Sequence, residues 1–293
     1  MSNQTIAVIG LGNMGGRMAA NLAKAGLTVQ GFDVSAEAKE SSKKDGVAVF
    51  DTAVEAAEGA EVVITMLPNG DLVKKVLGEL LDADSTAKVY IDSSTISVQD
   101  AREIGESVYD RGSQFIDAPV SGGTTGAEAG TLAFMVGGTE EAFNQVHPVL
   151  DVMGRSITHC GQVGNGQAVK ACNNMILAVQ QMVLSEAIVL GERLGLDHQA
   201  FFDVVSNATG NSWSLSVNAP IPDVVPTSPA NNDFQPGFSS ALMLKDLRLA
   251  MESAQATDTD TVLGKIATQA FEEFVAAGNG NLDFSAVINE VRR

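Results

Sequence analysis

Short apolar runs alternate with amphipathic stretches through the first half of the chain. Residues 5–9, 28–32, 47–50, 61–66, 88–91, 114–116, 131–136 and 156–159 are apolar runs of strand length. Between them, residues 14–25, 35–44, 71–77, 97–111 and 140–150 read as helices. This alternation predicts an α/β fold whose mostly parallel sheet is covered on both faces. Ligands of such sheets bind beyond the carboxyl ends of the strands. Four conspicuous loops fall there: 10–15, 67–70 with Leu67 and Pro68, 92–95 ending at Thr95, and 117–130.

After Gly164 the pattern changes. Residues 167–194 contain no proline and one internal glycine, Gly191, with Val169, Met175, Ile176, Val179, Met182, Val183, Ala187 and Leu190 near helical spacing. A helix of that length spans about 42 Å at 1.5 Å per residue, which suits a spine joining two domains. Residues 197–207, 241–256, 261–276 and 285–292 also read as helices. Residues 218–236 are rich in Pro, Asn and Ser and read as a long ordered loop or a lid.

The first strand runs straight into Gly10-Leu11-Gly12-Asn13-Met14-Gly15 and then into a helix. In such a turn the first glycine allows the tight bend, the second lets backbone approach a pyrophosphate, and the third lets helix and strand pack closely. The helix N-terminus then faces the phosphates with free N–H groups. The second strand ends at Asp33, about 18 residues past Gly15, where a carboxylate accepts the ribose hydroxyls. Strand, glycines, helix, second strand and acid occur in order, which predicts a Rossmann-type dinucleotide-binding domain over 1–163. An all-α domain for substrate and oligomerisation follows over 164–293, with the active site at their junction.

Bulk properties narrow the partners. The 293 residues are 45% hydrophobic and 18% charged, as in a folded globular chain. A net charge of -18 argues against nonspecific binding to nucleic acid or to an anionic membrane. Cys160 and Cys172 are too few for a disulfide framework or a thiolate metal site. Cys172 lies in an apolar helical run and reads as a core residue. His147, His159 and His198 lack metal-ligand spacing, so no metal is expected. No uninterrupted apolar run reaches the roughly 20 residues of a membrane span, and the chain enters its first strand without a leader-like segment. The expected compartment is the cytosol, although a processed organellar form would look the same.

Three further segments could carry chemistry. In Asp117-Ala-Pro-Val-Ser121-Gly122-Gly123, adjacent glycines beside a serine can turn several N–H groups and a hydroxyl toward one anion; a glycine-rich turn between strands fits the spacing equally. In Gly164-Asn-Gly166-Gln-Ala-Val-Lys170, Lys170 and Asn174 share one otherwise apolar helix face. Desolvation there makes an amine able to exchange a proton near neutral pH, whereas an isolated helix lysine more often snorkels. Lys245-Asp246-Leu alone reads as part of an amphipathic helix.

Taken in order, these segments resemble the β-hydroxyacid dehydrogenase family along nearly the whole chain. Residues 170–175, 192–197, 211–214 and 229–238 add a likeness to the branch of that family acting on 3-hydroxyisobutyrate. The resemblance implies NAD-linked oxidation of that acid to methylmalonate semialdehyde, a step of valine breakdown. A reductase of tartronate or succinic semialdehyde is the alternative within the family, and a noncatalytic NAD-binding protein the alternative outside it. It further implies Lys170 as general acid/base, Asn174 as its companion, and Ser121, Gly122 and Gly123 as holders of the substrate carboxylate. Lys245 is expected near the nicotinamide, and Trp213 and Phe238 close the substrate pocket or pack the helical domain. NADP-using members usually carry a neutral residue followed by Arg where this chain has Asp33-Val34, so NAD is the expected cofactor. A homodimer or homotetramer is the expected assembly.

Overall fold

A computed structural model describes residues 4–83 and 87–293. The chain divides into two compact units, the first ending at Lys170 and the second beginning at Ala171.

The first unit runs β1 (Thr5–Ile9), α1 (Gly15–Lys24), β2 (Thr28–Phe32), α2 (Ala36–Lys44), β3 (Ala48–Val49), α3 (Ala53–Ala57), β4 (Val62–Thr65), α4 (Gly70–Asp82) and β5 (Val89–Asp92). It continues α5 (Val98–Tyr109), β6 (Gln114–Asp117), β7 (Val120–Ser121), α6 (Gly123–Ala129), β8 (Leu132–Gly137), α7 (Glu140–Met153) and β9 (Gly154–Gly161). The sheet order is β3-β2-β1-β4-β5-β6-β8-β7, with β9 paired to β8. β1 to β6 pair in parallel, as does β8 with β9. β8 is antiparallel to both β6 and β7.

Strand periodicity explains the two cores. Ile6, Val8 and Ile64 point to one face and join Met18, Leu22, Val146 and Leu150. Ala7, Ile9, Val63 and Tyr90 point to the other and join Val73, Leu77, Ile104 and Phe115. β4 and β5 are buried at every position, which is why they are unbroken apolar runs. Ser35, Thr52, Asn69, Ser97 and Thr139 each cap a helix by accepting a backbone N–H three residues on. Such a cap stabilises by roughly 1 kcal/mol. The expected loop at 117–130 instead holds β7 and α6.

The long helix α8 (Asn165–Arg193) begins in the first unit and continues through the second. Its length and apolar composition would suffice to cross a membrane, with a mean hydropathy of 1.4 over the best window. Lys170, Asn174, Gln181 and Ser185 are nevertheless buried polar residues on it, and its apolar side chains join two cores of the second unit. It is packed as a core helix. Cys172 corrects the reading from sequence: it is exposed, because it shares the outward face of α8 with Val169 and Ile176, also exposed.

The second unit adds α9 (His198–Val205), α10 (Trp213–Ser216), α11 (Ser240–Ala256), α12 (Val262–Phe274) and α13 (Ile288–Arg292). The helix expected to reach 276 leaves α-geometry at a π turn, Val275–Asn279, where Gly278 has φ +93°. Residues 218–236 form an ordered loop. Ile221 and Ala219 are fully buried, Ser228 Oγ donates to the Ala219 carbonyl (2.5 Å), and Asn231 Nδ2 donates to the Val225 carbonyl (2.8 Å).

Candidate active site

The glycines of the 10–15 turn have separable reasons. Gly10 has φ +98°, and a Cβ there would meet the Met66 carbonyl at 2.3 Å. A Cβ on Gly15 would meet the Gly10 carbonyl at 1.9 Å. A Cβ on Gly12 meets nothing within 4 Å, so the backbone there borders open space. The adjoining helix α1 has Met14 as its N-cap, with no side-chain cap and no acid in its first turn, unlike the five helices of this unit capped by a side chain. Open backbone and an uncapped positive helix end fit a dinucleotide pyrophosphate.

Asp33 follows β2 and is half-buried. One carboxylate oxygen accepts the Leu11 N–H and the other the Ser35 N–H, each at 2.7 Å. Asp33 is thereby tied to the glycine turn. Each oxygen keeps a lone pair for a ribose hydroxyl.

The ends of β4 and β5 form a buried polar edge. Leu67 N–H donates to Ser94 Oγ (2.8 Å), and Thr65 Oγ1 and Ser94 N–H donate to Asp92 Oδ1 at 2.7 and 3.2 Å. Asp92 is fully buried, and burial pushes its carboxyl up to about 7. Asp92 Oδ2 and Ser93 Oγ have no hydrogen-bond partner. Pro68 is exposed and Thr95 half-buried on this edge.

Ser121 ends β7, half-buried, and Gly122 and Gly123 are exposed. Gly122 (φ +131°) is the N-cap of α6 and Gly123 (φ +61°) its first residue. The two glycines supply a backbone that other residues rarely adopt, and the N–H groups of a helix start lie beside the serine.

Asp117 closes β6 and receives the start of α8. Its Oδ1 accepts the Gly164 N–H (2.7 Å) and its Oδ2 the Gln167 N–H (2.8 Å). Burial nevertheless holds its carboxyl above the usual range, against the pull of these bonds. The docking is close. A Cβ on Gly166 would meet the Met135 carbonyl at 2.2 Å, and one on Gly137 would meet Asp117 Oδ1 at 2.4 Å. Lys170 lies one turn after Gly166 and is only 8% exposed.

In the second unit Asn174 is buried, and its Nδ2 makes a short hydrogen bond to Asp246 Oδ2 (2.5 Å). Lys245 is half-buried beside Asp246. Trp213 is 51% exposed on α10. Phe238 is half-buried and meets Phe284 edge-on, ring centroids 5.8 Å apart. Buried Asp283 holds the backbone N–H groups of Gly237 and Phe238, both at 3.1 Å.

Family models cover both halves of the chain. The NAD binding domain of 6-phosphogluconate dehydrogenase matches residues 5–161, and the model described as NAD-binding of NADP-dependent 3-hydroxyisobutyrate dehydrogenase matches 164–291. The chain belongs to the β-hydroxyacid dehydrogenase family. It is an NAD-dependent hydroxyacid dehydrogenase. A probable 3-hydroxyisobutyrate dehydrogenase of Mycobacterium tuberculosis is 54% identical over 98% of both chains. An NAD-dependent L-serine dehydrogenase of Pseudomonas aeruginosa is 41% identical over 96% of both. A solved structure of Mycobacterium tuberculosis 3-hydroxyisobutyrate dehydrogenase with L-serine superposes with a TM-score of 0.95 at 53% identity, covering 99% of each chain.

For a hydroxyacid dehydrogenase of this family, the structure adds residues to which the sequence reading gave no role. Asp92, Asp117 and Gln167 organise the strand ends, and Asp246 and Asp283 organise the second unit. Asp117, Gln167 and Asp246 stood in noticed motifs and Asp92 in a noticed loop, but none was given a role there. Gln167 and Asp283 bond to backbone far away in sequence, and Asp92 to the distant Thr65 hydroxyl, which leaves no local spacing to read.

Proposed function

We propose that this hydroxyacid dehydrogenase oxidises 3-hydroxyisobutyrate to methylmalonate semialdehyde, with Lys170 as proton acceptor. The observation that supports it best is the placement of Lys170. It is a buried lysine, one turn into a helix whose start is bonded to the ligand-binding ends of the sheet. NAD, when bound, supplies the hydride acceptor. The alcohol loses a hydride from its carbinol carbon and a proton from its hydroxyl; Lys170 Nζ takes that proton and returns it in the reverse reaction. The Ser121 hydroxyl and the N–H groups of Gly122 and Gly123 hold the substrate carboxylate. Gly10, Leu11, Gly12, Asn13, Met14 and Gly15 hold the pyrophosphate with backbone, Asp33 takes the ribose, and Leu67, Pro68 and Thr95 border the cofactor. Asn174 orients the substrate or the lysine amine, Lys245 assists cofactor binding, and Trp213 and Phe238 contribute to the substrate pocket.

The L-serine dehydrogenase relative favours a second reading, L-serine as substrate. Both acids carry a primary alcohol at C3 and a carboxylate, and they differ in a methyl or ammonium group at C2. Steady-state NAD reduction separates them. The expected result is a higher kcat/KM with 3-hydroxyisobutyrate. A higher value with L-serine assigns the second reading, and turnover of neither overturns both.

The reading includes self-association. Ile176, Val183 and Leu190 on α8 and Val262, Leu263 and Ile266 on α12 are each more than half exposed, a larger apolar display than isolated surface residues give. Light scattering is expected to show a homodimer or homotetramer; a strict monomer would contradict this part.

A further inference from the structure

Gln167 is 1% exposed, and both ends of its side-chain amide are bonded. Its Oε1 accepts the Ile96 N–H (3.2 Å), and its Nε2 donates to the Ser94 carbonyl (2.8 Å). Its backbone N–H donates to Asp117 Oδ2 (2.8 Å). One residue of α8 is thus bonded to the turn after β5 and to the end of β6. Ser94 Oγ holds the Leu67 N–H, which brings in the end of β4. These are the strand ends where α/β sheets bind their ligands.

An apolar side chain could fill the same volume and tolerate a small slide of the helix. A primary amide is satisfied only when its oxygen meets a donor and its nitrogen an acceptor, and an unmet buried group costs about 1–3 kcal/mol. Gln167 therefore fixes the register of the first turn of α8. Lys170 is three residues on, about 4.5 Å along the axis, with no glycine or proline between. A displacement at Gln167 is carried to Lys170. Misplacement of a reacting group by about 1 Å can lower a rate by roughly 10²-fold.

We propose that Gln167 is a positioning residue, which sets the register of α8 against the Leu67–Ser94 edge and so places Lys170 Nζ for proton transfer. The proposal rests on Lys170 being the proton acceptor. Gln167→Met, Gln167→Glu, Lys170→Met and the double variant Gln167→Met/Lys170→Met test it. The readouts are kcat with the better of 3-hydroxyisobutyrate and L-serine, NAD affinity by calorimetry, and Tm.

Gln167→Met is expected to lower kcat by about tenfold or more, with NAD affinity within about threefold. On the Lys170→Met background the same change is expected to lower kcat by no more than about twofold, because the group it positions is gone. Gln167→Glu adds a pH readout. A protonated carboxyl can donate to the Ser94 carbonyl and an ionised one cannot, so its kcat relative to wild type should rise as pH falls. Asp92, Asp117 and Lys170 are present in both proteins, and Gln167→Met, which adds no charge, shows how much of the loss arises without any shift the new carboxyl causes in them. If Gln167→Met does not fold, the Gln167→Glu ratio decides. A near wild-type kcat in Gln167→Met, an equal loss on both backgrounds, or a pH-independent Gln167→Glu ratio overturns the proposal while leaving a strong Lys170→Met defect intact. Near-normal kcat in Lys170→Met overturns the underlying mechanism, and the positioning role with it.

Discussion

In the first unit, glycine backbone and buried carboxylates shape the surroundings of the candidate residues; in the second, the candidate residues are side chains on helices and on one anchored loop. Gly10, Gly15, Gly137 and Gly166 are places where a Cβ would strike backbone or a carboxylate. Asp33 and Asp117 spend their oxygens on backbone N–H groups. Asn174, Trp213, Lys245 and Phe238 instead present side-chain chemistry, with Asp246 and Asp283 behind Asn174 and Phe238. A backbone-built region fails when atoms are added, whereas a side-chain region is tuned by exchanging groups. The first arrangement suits a cofactor that never changes, and the second suits the role in the substrate pocket that we propose for it.

Lys170 is the exception on which the contrast turns, a buried side chain in the backbone-built unit to which we assign the proton transfer. Lys170→Met should lower kcat by roughly 10²-fold or more and leave NAD affinity little changed. A lysine that only packs would instead alter stability or KM and keep kcat within a few-fold.

Asp92 tests whether the buried edge serves stability or site. Its carboxyl titrates at about 7 in the fold, against about 3.9 in an unfolded chain. Between those values the native state keeps a proton that the unfolded state has released. Stability should therefore fall as pH rises from about 4 to 7, by at most about 1.4 kcal/mol per pH unit, and level off above. Asp92→Asn lacks that slope. Its Tm should gain on the wild type steadily between pH 5 and 7; parallel Tm curves would contradict the assignment.

Gly166 and Gly12 sharpen the comparison. Gly166→Ala forces a methyl against the Met135 carbonyl and Asp117 and should cost roughly 1–3 kcal/mol of stability, with kcat falling as α8 shifts. Gly12→Ala projects into open space. It should leave Tm nearly unchanged and weaken NAD binding. Chemical denaturation and calorimetry on both variants check the pair, and equal destabilisation by the two would break the distinction.

The same contrast explains what the sequence discloses. Backbone-built features leave spacing. The strands 5–9 and 28–32, the glycine turn, Asp33 and the start of α8 within two residues were all legible. The short helix α3 had no place in the sequence reading, although Thr52 and Glu55 form a capping box at its start. The helix at 123–129 was hidden because its opening glycines look like a loop. Gln167, Asp92 and Asp283 were hidden because each has partners distant in sequence, and a residue's type says nothing of which distant group it will meet. The side of α8 that faces outward at Cys172 was also ambiguous, since apolar residues occur all around that helix.

The most direct test of the backbone-built site is cofactor discrimination. In the ribose-binding role we propose for it, Asp33 would repel a 2′-phosphate, and neither Val34 nor Ser35 supplies a compensating cation. Wild-type kcat/KM should favour NAD over NADP by at least about tenfold, or about 1.4 kcal/mol, and Asp33→Asn with Ser35→Arg should narrow the gap. Equal or better turnover with NADP in the wild type would contradict the account.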